Sequence, residues 1–385
     1  MNEDTLEAWL TLLHLEGIGP RIIAEIVHTY GGPTTYLAAS EADRASHGLP
    51  AKAVTAPRML ASAREGVAAD RRWAEQKDCH IITRDDARYP ARLAEIPDPP
   101  PVLFVRGEPA VLDTPQIAVV GTRNPTPGGI ETAEDFSGRL AASGLTVTSG
   151  LALGIDTAAH EGALVAEDGI SIAVMATGPD RLYPRENQVL ASSLIERGAI
   201  VTEMPVGTSL NRGLFPRRNR LISGLSLGVL VVEAGRRSGA LGTAHQAVEQ
   251  GREVIAIPGS IHNPVAKGCH QLIREGARLV EKADDVIDEI RKLPDGWMMT
   301  TPDGPAAGTG EENTADTPAD SALDADYRAL LDAMGHDPIG FETLAERTSL
   351  TPDILSSMLL SLELMGHVAP CNGGHYMRIS NRAGG

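Results

Sequence analysis

Apolar residues recur at helical spacing through the first part of the chain. Residues 5–16 (TLEAWLTLLHLE) and 20–30 (PRIIAEIVHTY) predict two short amphipathic helices joined by Gly17-Ile18-Gly19. Helical spacing continues to about residue 77, so residues 1–77 are expected to form a small all-α unit. Residues 78–112 are proline-rich and extended, with a hydrophobic strand at Val102–Val105, and read as a connector. From Gln116 the period changes. Apolar runs at 116–121, 145–149, 170–176, 199–203, 227–233 and 253–257 alternate with helical patterns at 128–142, 154–167, 186–197, 216–224 and 239–250. Short, near-continuous apolar strands of this kind are buried on both faces, and a helix after each one makes the sheet mostly parallel. Residues 113–292 are therefore expected to form a doubly wound, Rossmann-like α/β domain, with ligands at the carboxyl ends of the strands.

Beyond it, residues 293–322 lose periodicity and are rich in Pro, Gly, Thr and acid, as in a flexible linker. Helical patterns at 324–334, 341–347 and 352–366, then an expected hairpin from Val368 to Ile379 around Asn372-Gly373-Gly374, predict a winged helix in 323–385. Residues 291–385 carry six basic and fourteen acidic groups, and the basic residues of the winged helix are only Arg328, Arg347, Arg378 and Arg382. A domain entering a major groove needs more positive charge, so a protein-interaction or accessory role is favoured for it.

Composition narrows the function classes. No apolar run is long enough to span a membrane. The start, Met1-Asn-Glu-Asp-Thr-Leu-Glu, lacks the basic and apolar segments of a signal peptide. Three scattered cysteines, Cys79, Cys269 and Cys371, give neither a disulfide frame nor a metal cluster and suit a reducing cytoplasm. No metal or cofactor is expected. The net charge of −17 argues against a polyanionic partner, but residues 205–278 carry ten basic and four acidic groups. Aromatic residues are only 3% of the chain, so a groove paved with stacking rings is not expected.

Candidate chemistry lies after successive strands. Gly121-Thr122-Arg123 follows the first, where Gly121 permits a sharp turn and Arg123 projects from the strand end. Ser149-Gly150-Leu151-Ala152-Leu153-Gly154-Ile155-Asp156 follows the second and opens a helix, presenting free amides and the positive dipole end to an anion. It is neither Gly-x-Gly-x-x-Gly nor a Walker loop. Arg217, Arg218 and Arg220, with Asn219 between them, sit at the start of an apolar helix, where positive charge opposes the dipole unless an anion offsets it. Ser238-Gly239-Ala240-Leu241-Gly242-Thr243 opens another helix, with Arg236 and Arg237 just upstream. Four anion-friendly turns on one sheet edge can trace a polyanion. The Gly17-Ile18-Gly19 turn resembles a helix-hairpin-helix that could hold a phosphate, or it is a plain helical hairpin.

These motifs, in order from about 116 to 280, resemble the DprA/Smf family of DNA-processing proteins. The resemblance is carried by Val120-Gly121-Thr122-Arg123, the Ser149–Asp156 turn and Ala159-His160. It continues through Ala176-Thr177-Gly178-x-Asp180-x-x-Tyr183-Pro184, Phe215-Pro-x-Arg218-Asn219-Arg220-x-Ile222-Ser-Gly, Val231-Val-Glu-Ala234, Ser238-Gly239-x-Leu-x-Thr243-Ala244 and Ile257-Pro258-Gly259. It implies an extended Rossmann fold that binds single-stranded DNA, forms homodimers and assists loading of the recombinase RecA in natural transformation. It also implies an N-terminal helical domain of sterile-alpha-motif type and a C-terminal winged helix. By motif position, Arg123 and Arg218-Asn219-Arg220 would contact DNA, and Gly121, Ser149, Gly150 and Ser238-Gly239 would shape the pocket. Gly242 departs from the family pattern, where a bulkier apolar residue is usual. With Arg217, Thr122 and Thr243 these complete the candidate DNA-binding set.

Other classes fit less well. Nucleoside-monophosphate phosphoribohydrolases of a related fold carry a resembling Pro-Gly-Gly-x-Gly-Thr-x-x-Glu signature, but Gln246 stands where the acid would be, and an amide cannot act as a general base. Glu203 and Glu233 are expected to cap or pair with an arginine such as Arg218 or Arg220 rather than form a catalytic pair. His160 and His245 have no matching nucleophile and are read as core or surface residues. A scaffold using the arginine run for protein docking remains a third class, which strong salt dependence of DNA binding would disfavour. The expectation is a DNA-binding protein with no covalent chemistry of its own.

Overall fold

The computed structural model describes residues 3–293, 324–335, 338–371 and 373–379; the linker expected at 293–322 lies outside them except for Leu293. Six helices open the chain: α1 (Glu3–His14), α2 (Pro20–Tyr30), α3 (Pro33–Ala38), α4 (Glu41–Ser46), α5 (Ala51–Thr55) and α6 (Leu60–Ala74). They close on a core that includes Trp9, Leu12, Ile23, Ile26 and Tyr36.

Strands and helices then alternate: β1 (Cys79–Thr83), α7 (Ala91–Ala94), β2 (Val102–Gly107), β3 (Gln116–Val120), α8 (Pro127–Ala142), β4 (Thr146–Ser149), α9 (Ile155–Val165), β5 (Ser171–Val174), α10 (Gln188–Arg197) and β6 (Ala199–Thr202). The series continues with α11 (Leu214–Leu225), β7 (Gly228–Val231), α12 (Gly239–Glu249), β8 (Glu253–Ala256), α13 (Lys267–Arg274), β9 (Arg278–Leu279) and α14 (Ala283–Arg291). The strands form one nine-stranded sheet in the order β1-β2-β6-β5-β4-β3-β7-β8-β9. Neighbours from β6 to β9 are parallel, and β1–β2 and β2–β6 are antiparallel.

All six strands expected from apolar runs form within one or two residues of their anticipated ends. The segment 78–112 does more than connect: pairing of β1 with β2, and of β2 with β6, builds it into the sheet edge. Period-two patterning explains why. Leu103 and Val105 join the core under α11 and α12, while Phe104 faces the helical N-terminal unit and packs edge-on against Trp73. Helices cover both faces, with α8, α9 and α14 on one and α11, α12 and α13 on the other. Among the described residues, no helix is long and apolar enough to cross a membrane.

The C-terminal unit comprises α15 (Ala325–Met334), β10 (Ile339–Gly340), α16 (Phe341–Thr348), α17 (Pro352–Leu364), β11 (Val368–Cys371) and β12 (His375–Arg378), with its own core around Leu331, Leu344, Leu355 and Leu359. The hairpin β11–β12 pairs as expected and β10 joins it. Helix α17 carries no basic residue, and Arg378 lies 3.7 Å from Asp332.

Candidate nucleic-acid interface

After β3 the chain goes outward through β4, β5 and β6, then crosses back to lay β7 on the other side of β3. Strand order reverses there, and an open α/β sheet leaves a crevice at the carboxyl ends of the strands flanking such a point. A crevice of about 450 Å³ occupies it, lined by Gly121, Thr122, Arg123, Arg218, Asn219, Ser238, Gly239 and Thr243 among others. Eight of the twelve candidate residues thus meet in one place.

Two glycines let the walls approach. A Cβ on Gly121 would lie 2.5 Å from Ile155 Cγ1 and 2.9 Å from the Glu233 carbonyl, so only glycine lets β3 turn against α9. A Cβ on Gly150 would lie 1.2 Å from Arg218 Nη1. Gly150 makes the room in which that guanidinium sits.

Arg218 is the centre of the site. It occupies the buried stripe of α11 with Leu221, Ile222 and Leu225, at helical spacing, and only 5% of its surface is exposed. Among the described residues its nearest carboxylate oxygen, Asp156 Oδ2, is 3.9 Å from Nη1, too far for a hydrogen bond, and its buried Nε has no hydrogen-bond partner. Burial lowers the Arg218 pKa against the opposing pull of Asp156. Burial likewise raises the Asp156 carboxyl, opposed by Arg218 and by the N–H groups of Ala152 and Gly150, at 3.4 and 3.2 Å. A desolvated cation whose ion-pair partner stands beyond hydrogen-bond reach is poised for an anion.

Opposite it, α12 begins. Ser238 caps the helix by accepting the Ala240 N–H at 3.3 Å, and Gly239 and Ala240 line the crevice. The positive end of the helix dipole complements a phosphate, while Ser238 already holds the Ala240 and Leu241 amides. Arg123 is exposed at the rim, its guanidinium 4.9 Å from the Phe215 ring centroid. Arg237 and Phe215 line the crevice as well. Arg237 was visible only as a neighbour of the Ser238 turn. Phe215 carried no signal beyond its motif.

The other candidates sit elsewhere. Ser149 is buried beneath the crevice, donating to the Val119 carbonyl at 2.6 Å. Gly150 lines an adjoining cavity with Arg123 and Arg218. Arg217 and Arg220 face a separate cavity on the far side of α11, beside Gly17, Gly19 and Arg21. Arg220 is buried and committed: it donates to Glu203 Oε2 at 2.5 Å and to the Asp98 carbonyl at 2.6 Å. Helix phase separates these arginines, since positions 218 and 220 differ by about 200° around the axis. The helix also starts at Leu214, before the arginines, so the dipole conflict read from the sequence is weaker than expected.

The glutamates divide likewise. Glu203 pairs with Arg220 and lies 3.6 Å from Arg217 Nε. Among the described residues Glu233 pairs with no arginine; it accepts from the Thr126 amide at 2.9 Å and hydroxyl at 2.8 Å. His160 is a core residue, its Nδ1 2.7 Å from Ser171 Oγ. Because that hydroxyl donates to the Val147 carbonyl, Nδ1 is the donor, and burial pushes the ring pKa down to about 3. Exposed His245 lies 3.5 Å from Glu275. Gln246 lines the far cavity, away from the crevice. Among the described residues no cluster of three or more His, Cys, Asp or Glu could hold a metal.

Comparison with known proteins bears on this geometry. The family model described as DNA recombination-mediator protein A matches residues 80–291, and a DprA winged-helix model matches 314–374. The chain belongs to the DprA family. It is 41% identical to Protein Smf of Escherichia coli (strain K12) over 325 residues, 84% of each chain. It is 40% identical to DNA processing protein DprA of Bacillus subtilis (strain 168) over 235 residues, 61% of this chain and 75% of that one. The X-ray structure of DprA from Streptococcus pneumoniae matches with a TM-score of 0.65 at 34% identity, over 74% of this chain and 97% of that one. DprA from Helicobacter pylori, whose structure was described for its single-stranded DNA binding mode, matches with a TM-score of 0.51 at 28% identity, over 57% and 98%. The DprA family is a family of DNA-processing proteins, and this chain shares its mostly parallel sheet, N-terminal helical unit and C-terminal winged helix.

Proposed function

We infer that the chain binds single-stranded DNA along the crevice between β3 and β7, and acts on it by binding rather than by covalent chemistry. One observation carries this reading: a buried guanidinium with an unpartnered Nε shares the crevice at the strand-order reversal with the N-terminus of α12. A phosphate between Arg218 and the start of α12 would supply a counter-charge within hydrogen-bond reach. Arg123, Arg237 and Asn219 would hold neighbouring backbone or base groups. No side chain lining the crevice pairs a nucleophile with a base, and the frame position of a phosphoribohydrolase acid holds an amide turned away from it. The likeness to the Helicobacter pylori protein supports the choice of single strands. Backbone contacts of this kind make binding largely indifferent to sequence.

This reading extends to handing the bound strand to the recombinase RecA, in the cytoplasm, with two copies of the chain sharing one strand and gaining avidity. Single- and double-stranded oligonucleotides titrated across a salt series test the binding reading. Tighter single-strand binding, with affinity falling steeply as salt rises, is expected. Equal binding to duplex, or affinity indifferent to salt, would refute it. Sedimentation showing only a 40.6 kDa species at micromolar concentration would remove the dimer, and unaltered RecA filament assembly would remove the handover.

A further inference from the structure

We propose that the nucleic-acid path does not end in the crevice but continues along the sheet edge into a second binding cleft between α6 and α10. The proposal rests on the crevice reading and extends it. The crevice shares Arg123, Ala152, Phe215 and Arg218 with a small neighbouring cavity. That cavity shares Thr177, Tyr183 and Leu210 with a cleft of about 900 Å³ on the face of β2 and β6. The three cavities adjoin, through these shared residues, in a series that runs from the end of β7 to β2. Five inter-strand gaps of ~4.8 Å make it ~24 Å long, room for about seven nucleotides at 3.4 Å each or fewer if the strand is stretched.

The lining changes in a way that suits a strand. The bridge carries three large exposed apolar side chains, Leu153, Tyr183 and Leu210, at 42%, 43% and 43% exposure. Apolar groups beside an arginine-lined crevice form a seat for a nucleobase, with Tyr183 as the stacking ring. Beyond them the cleft is cationic, lined by Arg106, Arg181 and Arg185. Its one lining carboxylate, Asp180, is already held by Arg181 at 3.5 Å and by the Gly207 amide at 2.8 Å. Arg106 and Arg185 are exposed, and among the described residues the structure assigns them no ion pair. The cleft floor is apolar, with Phe104, Met175 and Ile200. Alternation of cation, apolar seat and cation matches the repeat of phosphate and base along a single strand. The antiparallel strand β2 creates the far end, because pairing Arg106 with Ile200 brings that arginine to the parallel block.

The test compares oligothymidylates of about 4 and about 12 nucleotides on wild type, Arg218→Ala, Arg106→Ala/Arg185→Ala and Tyr183→Ala. Arg106, Arg185 and Tyr183 are exposed, so the last two variants are expected to fold, which circular dichroism verifies. The account expects both to bind the short oligonucleotide as wild type does. For the long one, Tyr183→Ala should weaken affinity at least about fivefold. The double arginine variant should lower the log–log salt slope by about 1.4, ~0.7 for each phosphate released. Arg218→Ala should weaken both lengths. If Arg218→Ala weakens both lengths while the cleft variants bind the long strand normally, the crevice reading stands and the continued path is wrong. If the cleft variants weaken the long strand and Arg218→Ala weakens neither, the crevice reading fails and the continuous path with it.

Discussion

Substituting Gly150 by alanine tests whether the crevice works through one positioned cation. The added Cβ would fall 1.2 Å from Arg218 Nη1, 2.3 Å from Cζ and 2.7 Å from Nη2. Carbon and nitrogen need about 3.5 Å, so the guanidinium must retreat by roughly 2 Å. Asp156 lies on one side and the side chain has little free surface, so the guanidinium must leave the position it holds in the crevice wall. One charge-assisted contact to phosphate is worth about 1.5–3 kcal/mol. Single-strand affinity should therefore fall about 10- to 150-fold, at 1.4 kcal/mol per decade, and the salt slope by about 0.7. Fluorescence anisotropy with a labelled oligothymidylate reads both, and urea unfolding shows that the fold survives. The decisive comparison is the double variant Gly150→Ala/Arg218→Ala, which should bind no worse than Arg218→Ala alone. Wild-type affinity in Gly150→Ala, or additive losses in the double variant, would refute the reasoning.

Three further outcomes follow from buried groups and helix geometry. Arg220→Ala strands the buried Glu203 carboxylate and should destabilise the fold by about 3–5 kcal/mol; an unchanged urea midpoint would show that the pair contributes nothing. The His160 pKa is about 3 in the folded chain and 6.5 in a free side chain. The unfolded chain therefore takes up a proton first as pH falls, and stability drops between 6.5 and 3, by about 1.4 kcal/mol at pH 5.5. His160→Asn should remove that share of the pH dependence of urea unfolding, and an equal slope in both proteins would contradict the assignment. Gly242 is exposed inside α12, and a Cβ there would meet only Asn219 Nδ2 at 3.9 Å. Gly242→Ala should stabilise the chain by about 0.5–1 kcal/mol and raise the melting temperature by about 1–4 °C; a lower melting temperature would mean that the glycine serves a close approach.

Six strands and five helices of the central domain were legible because burial on both faces writes continuous apolar runs, which local periodicity detects; α13, β9 and α14 were not read from the sequence. The turns after β3, β4 and β7 were legible for a related reason, since glycine and serine at helix starts have few local explanations; the arginine run lies inside α11 rather than at its start. What lay beyond local pattern was direction. Arg218 and Arg220 look equivalent in sequence, yet one faces the crevice and the other a buried glutamate on the opposite side of α11. A signal was present: Arg218 falls on the apolar stripe with Leu221, Ile222 and Leu225, which marks an arginine turned inward. Ser149 carried no such signal, because whether a strand-end hydroxyl points to solvent or to a neighbouring carbonyl depends on the register of β4 with β3. Strand β1 and the pairing of β2 with β6 were missed because antiparallel edge pairing is set by contacts far apart in sequence. The cleft that holds Arg106 and Arg185 follows from that pairing and was invisible for the same reason.

The account's central claim is that a strand's phosphate sits between Arg218 and the first turn of α12. Amide hydrogen exchange, with and without an oligothymidylate, tests it without altering the protein. The claim predicts slowed exchange at Gly239, Ala240 and Leu241 and at the Thr122–Asn124 turn, with no change along α17. Protection confined to α17 and the β11–β12 hairpin, with these turns unchanged, would move the nucleic-acid site to the winged helix and contradict the account.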